Sequence, residues 1–306
     1  MGINENTLLS RKMTFMLNLT DKTHRGDLMY KILEKTRLNA DVDRIVINAP
    51  LVAKNAKPGN FLILRVDEKG ERIPMTITEH DERTVTIMSQ RVGYSTRLLG
   101  MKKTGDTLHD VVGPLGQPAK IHDVKSVIGI AGGVGAAPLY PQMKAYAAQG
   151  VTVDLIIGAK DEDHLLLLDE YKSFCKNVYV ATDDGSLGKK GFVTLVAEDV
   201  YTYKTYDRAV VIGPLIMMKN MVELNQKHNL KTDVSLNPIM IDGTGMCGGC
   251  RVTIDGKSKF ACMDGPDFPA DGIDFEEMIA RQRHYEKEEK HICRIKLGDD
   301  HDTKTN

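Results

Sequence analysis

The sequence predicts a multi-domain β plus α/β protein: an antiparallel β-barrel, then a parallel-sheet domain, then a small cysteine-rich module closed by a helix. Three observations lead there. Short β-rich runs broken by Gly, Pro and Asp turns dominate as far as residue 124. From residue 125 apolar strands alternate with helical stretches. Three of the five cysteines, Cys247, Cys250 and Cys262, then crowd into one short segment. A chain of 306 residues suits two or three domains. The expected boundaries are an extension over 1–27, the barrel over 28–124, the α/β domain over 125–228, the cysteine module over 229–270, and a helix and tail over 271–306.

Taken in order, residues 1–27 show no sustained periodicity and read as an extension. The barrel strands are expected in RIVINAP, NFLILRV, PMTITEH and TVTIMSQ, between Lys31 and Asp123. SVIGIA, residues 126–131, is a near-continuous apolar run suited to a strand covered on both faces, followed by a Gly-rich turn and the helical stretch PLYPQMKAYAAQG. VTVDLIIGA, KNVYVAT and RAVVIGP repeat the theme. Near the end, Asp274 and Glu277 have capping-box spacing, and Phe275, Met278 and Ile279 share one helical face.

Composition narrows the function. Lys plus Arg total 41 against 42 for Asp plus Glu, so no basic excess is available for a nucleic-acid backbone. Apolar runs such as 126–138 fall short of the roughly 20 residues a bilayer requires. No secretory signal is apparent, and a cytoplasmic location is expected. In a reducing compartment crowded cysteines point to a metal site more than to disulfides. Cys175 and Cys293 stand apart and are expected to be inert thiols.

The strongest chemical signal is IDGTGMCGGCRVTIDGKSKFACMDGP, residues 241–266. Cys247 and Cys250 lie in a Gly-rich loop that lets backbone wrap closely around a ligand, and Cys262 follows a hairpin-like RVTIDG. Asp242 is the upstream side chain able to complete the set, giving D-x4-C-x2-C-x11-C. This spacing is close to the plant-type arrangement that holds a [2Fe-2S] cluster, with Asp in first place. Structural zinc ranks lower, because a carboxylate is a poorer ligand there than a thiolate.

The second signal is the turn Gly132, Gly133, Val134, Gly135, Ala136 between strand and helix, where pyrophosphate could meet backbone N–H groups and a helix N-terminus. Pro138 stands where a G-x-G-x-x-G fingerprint would have its third glycine, so a plain tight turn stays open. Asp183 and Asp184, and the segment Gly213 to Met218, also fall at predicted strand ends, the edge where open α/β sheets bind ligands. In the barrel, Gly93, Ser95 and Thr96 open a helical turn as a small anion site, and Thr76 follows the strand-edge Pro74. An ordinary edge strand and capped helix would read the same way.

The order of these pieces is recognisable. Pro74-Met75-Thr76, Gly93-x-x-Thr96, GGVGAAP, GPLIMM and D-x4-C-x2-C-x11-C together resemble the ferredoxin reductase-like flavoproteins over about residues 28–280. Within them the chain looks most like the small (alpha) subunits of NADH-dependent reduced ferredoxin:NADP oxidoreductase, also called sulfide dehydrogenase subunits. These are relatives of the dihydroorotate dehydrogenase electron-transfer subunit. The dihydroorotate relatives have Cys as first cluster ligand, so Asp242 points to the former branch.

The resemblance implies FAD seated by Arg72, Pro74, Met75, Thr76, Gly93, Ser95 and Thr96. It implies NAD(H) on Gly132 to Ala136 with Asp183, Asp184, Gly213, Met217 and Met218 around it, and hydride exchange between nicotinamide and flavin. The wider superfamily reads R-P-[YF]-S, which puts Ile73 at the arginine position and Arg72 one residue off, on the opposite face unless a bulge intervenes. Implied partners are a larger subunit carrying FAD and [4Fe-4S], resembling the glutamate synthase small subunit, and indirectly ferredoxin and NADP(H). A dihydroorotate-type subunit and a non-redox zinc and nucleotide-binding regulator remain as other readings. Lys160 followed by Asp161, Glu162 and Asp163 after the second parallel strand favours NAD(H) over NADP(H), because acids oppose a 2′-phosphate.

Overall fold

The computed structural model describes residues 30–297; the expected extension over 1–27 and the residues after 297 lie outside it. Among the described residues eight strands form the N-terminal region: β1 (Tyr30–Arg37), β2 (Val42–Asn48), β3 (Phe61–Arg65), β4 (Ile73–Thr76), β5 (Glu79–His80), β6 (Thr84–Gln90), β7 (Thr107–Leu108) and β8 (Asp110–Leu115), with helices α1 (Pro50–Ala53) and α2 (Tyr94–Met101) between them. They make a five-stranded antiparallel sheet, β5-β6-β2-β1-β7, and a three-stranded one, β4-β3-β8. The two enclose a shared core that includes Ile45, Ile47, Leu62, Leu64 and Ile87. Alternation sets this arrangement: in β2 the residues Val42, Ile45 and Ile47 are buried while Arg44, Val46 and Asn48 are partly open.

The second region follows as β9 (Ser126–Gly132), α3 (Ala136–Ala148), β10 (Thr152–Ala159), α4 (Leu168–Lys172), β11 (Asn177–Thr182), β12 (Lys189–Lys190), α5 (Val193–Tyr201), β13 (Arg208–Ile212), α6 (Leu215–Lys227) and β14 (Thr232–Ser235). β9 and β10 are buried along nearly their whole length, as strands covered on both faces must be. The sheet order is β12-β11-β10-β9-β13-β14-β17, parallel until β17 (Asp267–Pro269) adds antiparallel to β14. The sheet therefore continues past residue 228 into the segment expected to form the cysteine module.

That module contains the hairpin β15 (Arg251–Ile254) and β16 (Lys257–Phe260), then α7 (Ala261–Asp264). Asp255 and Gly256 turn it with φ of 51° and 70°, the Asp-Gly pattern that matches strand twist in a two-residue hairpin loop. Cys250, Val252, Ala261 and Cys262 share a core with β13, α6 and helix α8 (Phe275–Gln282). The expected C-terminal helix is interrupted: a tight turn over Arg283–Tyr285 separates α8 from α9 (Glu286–Leu297). Asp274 caps α8 by accepting the N–H of Glu277 at 2.9 Å. Among the described residues no helix is long and apolar enough to cross a membrane.

Candidate functional site: an interdomain cleft and a cysteine loop

A cavity of about 610 Å³ opens where the barrel meets the C-terminal edge of the parallel sheet. It brings together Pro74, Met75 and Thr76 of β4, Thr96 of α2, the turn from Gly132 to Gly135, and Gly213 after β13. This is the edge at which open α/β sheets bind ligands. Sequence reasoning missed part of its wall: Ser235 at the end of β14, Leu236, Asn237, Pro238 and Met240 after it, and Pro266 before β17. The Asn-Pro pair straight after a strand was the available signal for that turn.

The three turn glycines have different reasons. Gly133 has φ of 54° and open space where a Cβ would stand, so it frees room beside the cleft. A Cβ on Gly135 would collide with the carbonyl oxygen of Ile212, and one on Gly132 with the sulfur of Met217. Those two glycines let the turn pack against β13 and α6. Pro138 falls in the first turn of α3, where its missing N–H has no intrahelical partner to lose, so a proline is tolerated in place of the third glycine. Ala136 is buried and its carbonyl accepts the Tyr171 hydroxyl at 2.7 Å.

Met217 lies against Gly132 and Gly213, whereas Met218 is wholly buried in the core behind them. Asp183 and Asp184 are exposed at the end of β11, outside the cavity wall. The Ser186 hydroxyl and N–H donate to Asp184 at 2.7 and 2.9 Å and hold its carboxyl below the usual carboxylate range.

At the barrel end, Gly93 is the N-cap of α2. The Thr96 hydroxyl accepts the N–H groups of Gly93 and Val92 at 3.0 and 3.1 Å, and Ser95 donates to Glu71 at 2.7 Å. Arg72 precedes β4 rather than lying in its ladder, so strand alternation does not fix its direction. Among the described residues its Nε is buried without a hydrogen-bond partner, an unspent donor of the kind a phosphate would satisfy.

In the cysteine loop, Asp242 organises the backbone. Its Oδ1 accepts the N–H of Thr244 at 2.9 Å and its Oδ2 that of Cys247 at 2.8 Å, and these bonds hold its carboxyl below the usual range. Gly243, Gly245 and Gly248 all have positive φ, which lets the chain wrap tightly. The N–H of Gly249 donates to Cys247 Sγ at 3.5 Å and that of Cys262 to Cys250 Sγ at 3.4 Å. Cys247 is exposed; Cys250 and Cys262 are buried, and burial pushes the Cys262 thiol up to about 12. Among the described residues no three ligating side chains close on a single ion. The donor set, three free thiols with N–H groups directed at sulfur and a carboxylate, nonetheless fits an iron–sulfur centre. Cys175 is half-buried, and burial pushes its thiol up to about 12.

Residues 237–274 match the family profile described as the iron–sulfur cluster binding domain of dihydroorotate dehydrogenase B, and residues 130–223 match the oxidoreductase NAD-binding domain. A Thermotoga maritima protein, called a homolog of the dihydroorotate dehydrogenase B (NAD(+)) electron transfer subunit, is 42% identical over 87% of this chain and 94% of its own length. A Methanocaldococcus jannaschii protein, the probable electron transfer subunit of that enzyme, is 35% identical over 72% of this chain and 81% of its own. The chain belongs to the dihydroorotate dehydrogenase B electron transfer subunit family. A chain of the NADH-dependent reduced ferredoxin-NADP oxidoreductase structure, studied for flavin-based electron bifurcation, superposes with a TM-score of 0.82 at 40% identity, covering 86% of this chain and 96% of that one. The cytochrome b5 reductase domain of Ulva prolifera nitrate reductase shares the fold at 21% identity, TM-score 0.53, over 65% of this chain and 91% of its own. As a member of this family the chain is an NAD(P)H-dependent iron–sulfur flavoprotein oxidoreductase that functions in electron transfer.

Proposed function

We propose that the chain takes electrons from NADH at the interdomain cleft and hands them through a [2Fe-2S] cluster to a larger flavin and iron–sulfur subunit. One observation carries the reading: residues of the flavin-type barrel, the nucleotide turn and the approaches to the cysteine loop line one cavity. Met240 lies two positions before Asp242, and Pro266 four after Cys262; both stand on the wall shared with Thr76 and Gly133. When bound, FAD supplies the exchange between a two-electron hydride donor and a one-electron acceptor.

The protein's part is to bind and orient. Thr96 and the N-terminus of α2, with the unspent Nε of Arg72, are arranged for the flavin diphosphate; Pro74, Met75 and Thr76 offer an edge to the ring system. The Gly132 to Gly135 turn and the start of α3 receive the nicotinamide nucleotide, with Gly213 and Met217 beside the ring. Asp183 and Asp184 stand two strands away along the same edge, suited to the adenosine end. Positioning two reactive rings in contact needs no acid or base from the protein. Asp242, Cys247, Cys250 and Cys262 hold the cluster.

Asp242 in first position favours a partner of the ferredoxin:NADP oxidoreductase type over a dihydroorotate dehydrogenase. The cluster and cleft leave electrons to be passed on, so the chain works as the smaller half of a heterodimer, in the cytoplasm. The test is purification with any co-purifying subunit, followed by flavin, iron and acid-labile sulfide analysis. One FAD with two irons and two sulfides per chain is expected; stoichiometric zinc without sulfide refutes it.

A further inference from the structure

On the inner side of the cysteine loop, α8 brings a positive charge against the backbone. Arg281, in the last turn of α8, donates from Nη2 to the carbonyl oxygen of Gly249 at 3.2 Å. Gly249 immediately precedes Cys250, and its own N–H donates to Cys247 Sγ. Gly249, one of the two residues between Cys247 and Cys250, is therefore tied on one side to a sulfur and on the other to a guanidinium.

The anchor for Arg281 is rigid. Phe275 and Met278 of α8 are buried in the same core as Cys250 and Cys262, and Asp274 caps the helix. The side chain lies along a groove of about 490 Å³ whose walls also carry Arg251, His284 and Glu277. Among the described residues the hydrogen bond of Arg281 goes to the neutral carbonyl of Gly249.

We infer that Arg281 is a positioning residue for the cluster loop whose charge favours the reduced form of the cluster. The inference rests on the assignment of Asp242, Cys247, Cys250 and Cys262 as ligands. One-electron reduction, with NADH as the ultimate donor, leaves one more negative charge beside the loop. A fixed cation next to the loop stabilises that charge, and does so more strongly where the neighbouring wall is apolar, as the buried Cys250 and Cys262 side is. A hydrogen bond alone would fix the loop's shape; the charge adds a bias toward the electron-rich state.

The test is an EPR-monitored redox titration of the full chain with its cofactors bound. In Arg281→Gln the equilibrium constant for cluster reduction is expected to fall about tenfold, which is about 59 mV for a one-electron couple. Arg281→Lys, which keeps the charge, is expected to stay within about threefold of the parent, and Glu277→Gln, which removes an acid from the same groove, to shift in the opposite sense. An unchanged potential in Arg281→Gln at full iron content overturns the inference, as does an equal shift in Arg281→Lys. If Arg281→Gln retains too little iron to titrate, Glu277→Gln decides: a raised potential supports the charge effect and an unchanged one overturns it. Parent protein lacking iron and sulfide would instead overturn the ligand assignment.

Discussion

The cysteine loop and the interdomain cleft are built by opposite means. All four proposed cluster ligands fall between residues 242 and 262, and the loop is shaped largely by its own backbone: Asp242 gathers two N–H groups within five residues, glycines supply the positive φ, and an Asp-Gly hairpin returns the chain to Cys262. The cleft has no such locality. Its wall is assembled from β4, α2, two strand-to-helix turns and the segment after β14, positioned by packing of each element on its neighbours. A ligand set made locally survives changes in the surrounding sheet, whereas a cleft made by packing is lost when one contact is forced apart.

The largest expected effect separates the two regions from the loop side. Cys247→Ala removes an exposed proposed ligand without opening a core cavity, so iron and acid-labile sulfide should be lost entirely while FAD content and NADH oxidation by an artificial acceptor stay within about threefold. Parallel loss of flavin would show that the loop and cleft are one cooperative unit. The reverse break is Gly135→Val. Its added side chain is directed at the carbonyl of Ile212, forcing α3 and β13 apart at a cost of about 1–3 kcal/mol. KM for NADH should rise at least about tenfold with iron content near that of the parent, and NADH saturation kinetics with iron analysis of the same sample decide it.

A third change probes the seam. Asp267 of β17 is flanked by Pro266 of the cleft wall and pairs through Ser235 with β14, so it belongs to both regions. Burial pushes its carboxyl up to about 6, against the hydrogen bonds from Ser235 and Gln142 and with the nearby Asp233 adding to the rise. Asp233 is itself paired with Arg208 and His122. A folded-state value above the unfolded value near 4 means stability is full below about pH 4 and declines as pH rises through about 6, by at most about 3 kcal/mol. Urea midpoints at pH 5 and 7.5 should differ by less in Asp267→Asn than in the parent; equal differences would show that Asp267 does not carry the pH dependence.

The same contrast explains what could be read from the sequence. The proposed cluster ligands could be named from the sequence because their spacing is local. The apolar runs SVIGIA and VTVDLIIGA marked β9 and β10 because a doubly covered strand shows no alternation to confuse. The wall from Ser235 to Met240 was not legible, since nothing in that run shows that β14 joins β13 and carries the following residues over the cleft. Nor did capping residues and helical periodicity reveal the turn at 283–285 that divides the last helix. Met218 shows the limit from the other side: the motif places it beside Met217, but helix geometry turns adjacent residues about 100° apart, and Met218 faces the core.

The smallest expected effect concerns the nucleotide. Lys160 is the cation after β10 that a 2′-phosphate could use, but Asp41 of the barrel accepts its Nζ at 3.2 Å. His164 is held between Asp161 and Asp41 at 2.5 and 3.1 Å, and although burial opposes it, the bonds from Lys160 and His164 keep the Asp41 carboxyl below the usual range. Lys160 and His164 are therefore both committed to carboxylates, with Glu162 and Asp163 left as surplus acid. The parent should prefer NADH in kcat/KM. Asp41→Ala, which releases Lys160, should narrow that preference by a few-fold, in the range of an exposed ion pair, and Asp161→Arg by somewhat more because it adds a bidentate donor. Because Asp41 lies on the barrel and the loop on the α/β domain, a narrowed preference in Asp41→Ala would show that the two domains set nucleotide choice together. A preference unchanged there but narrowed in Asp161→Arg would assign it to the loop alone, and NADPH equal to NADH in the parent would sink both.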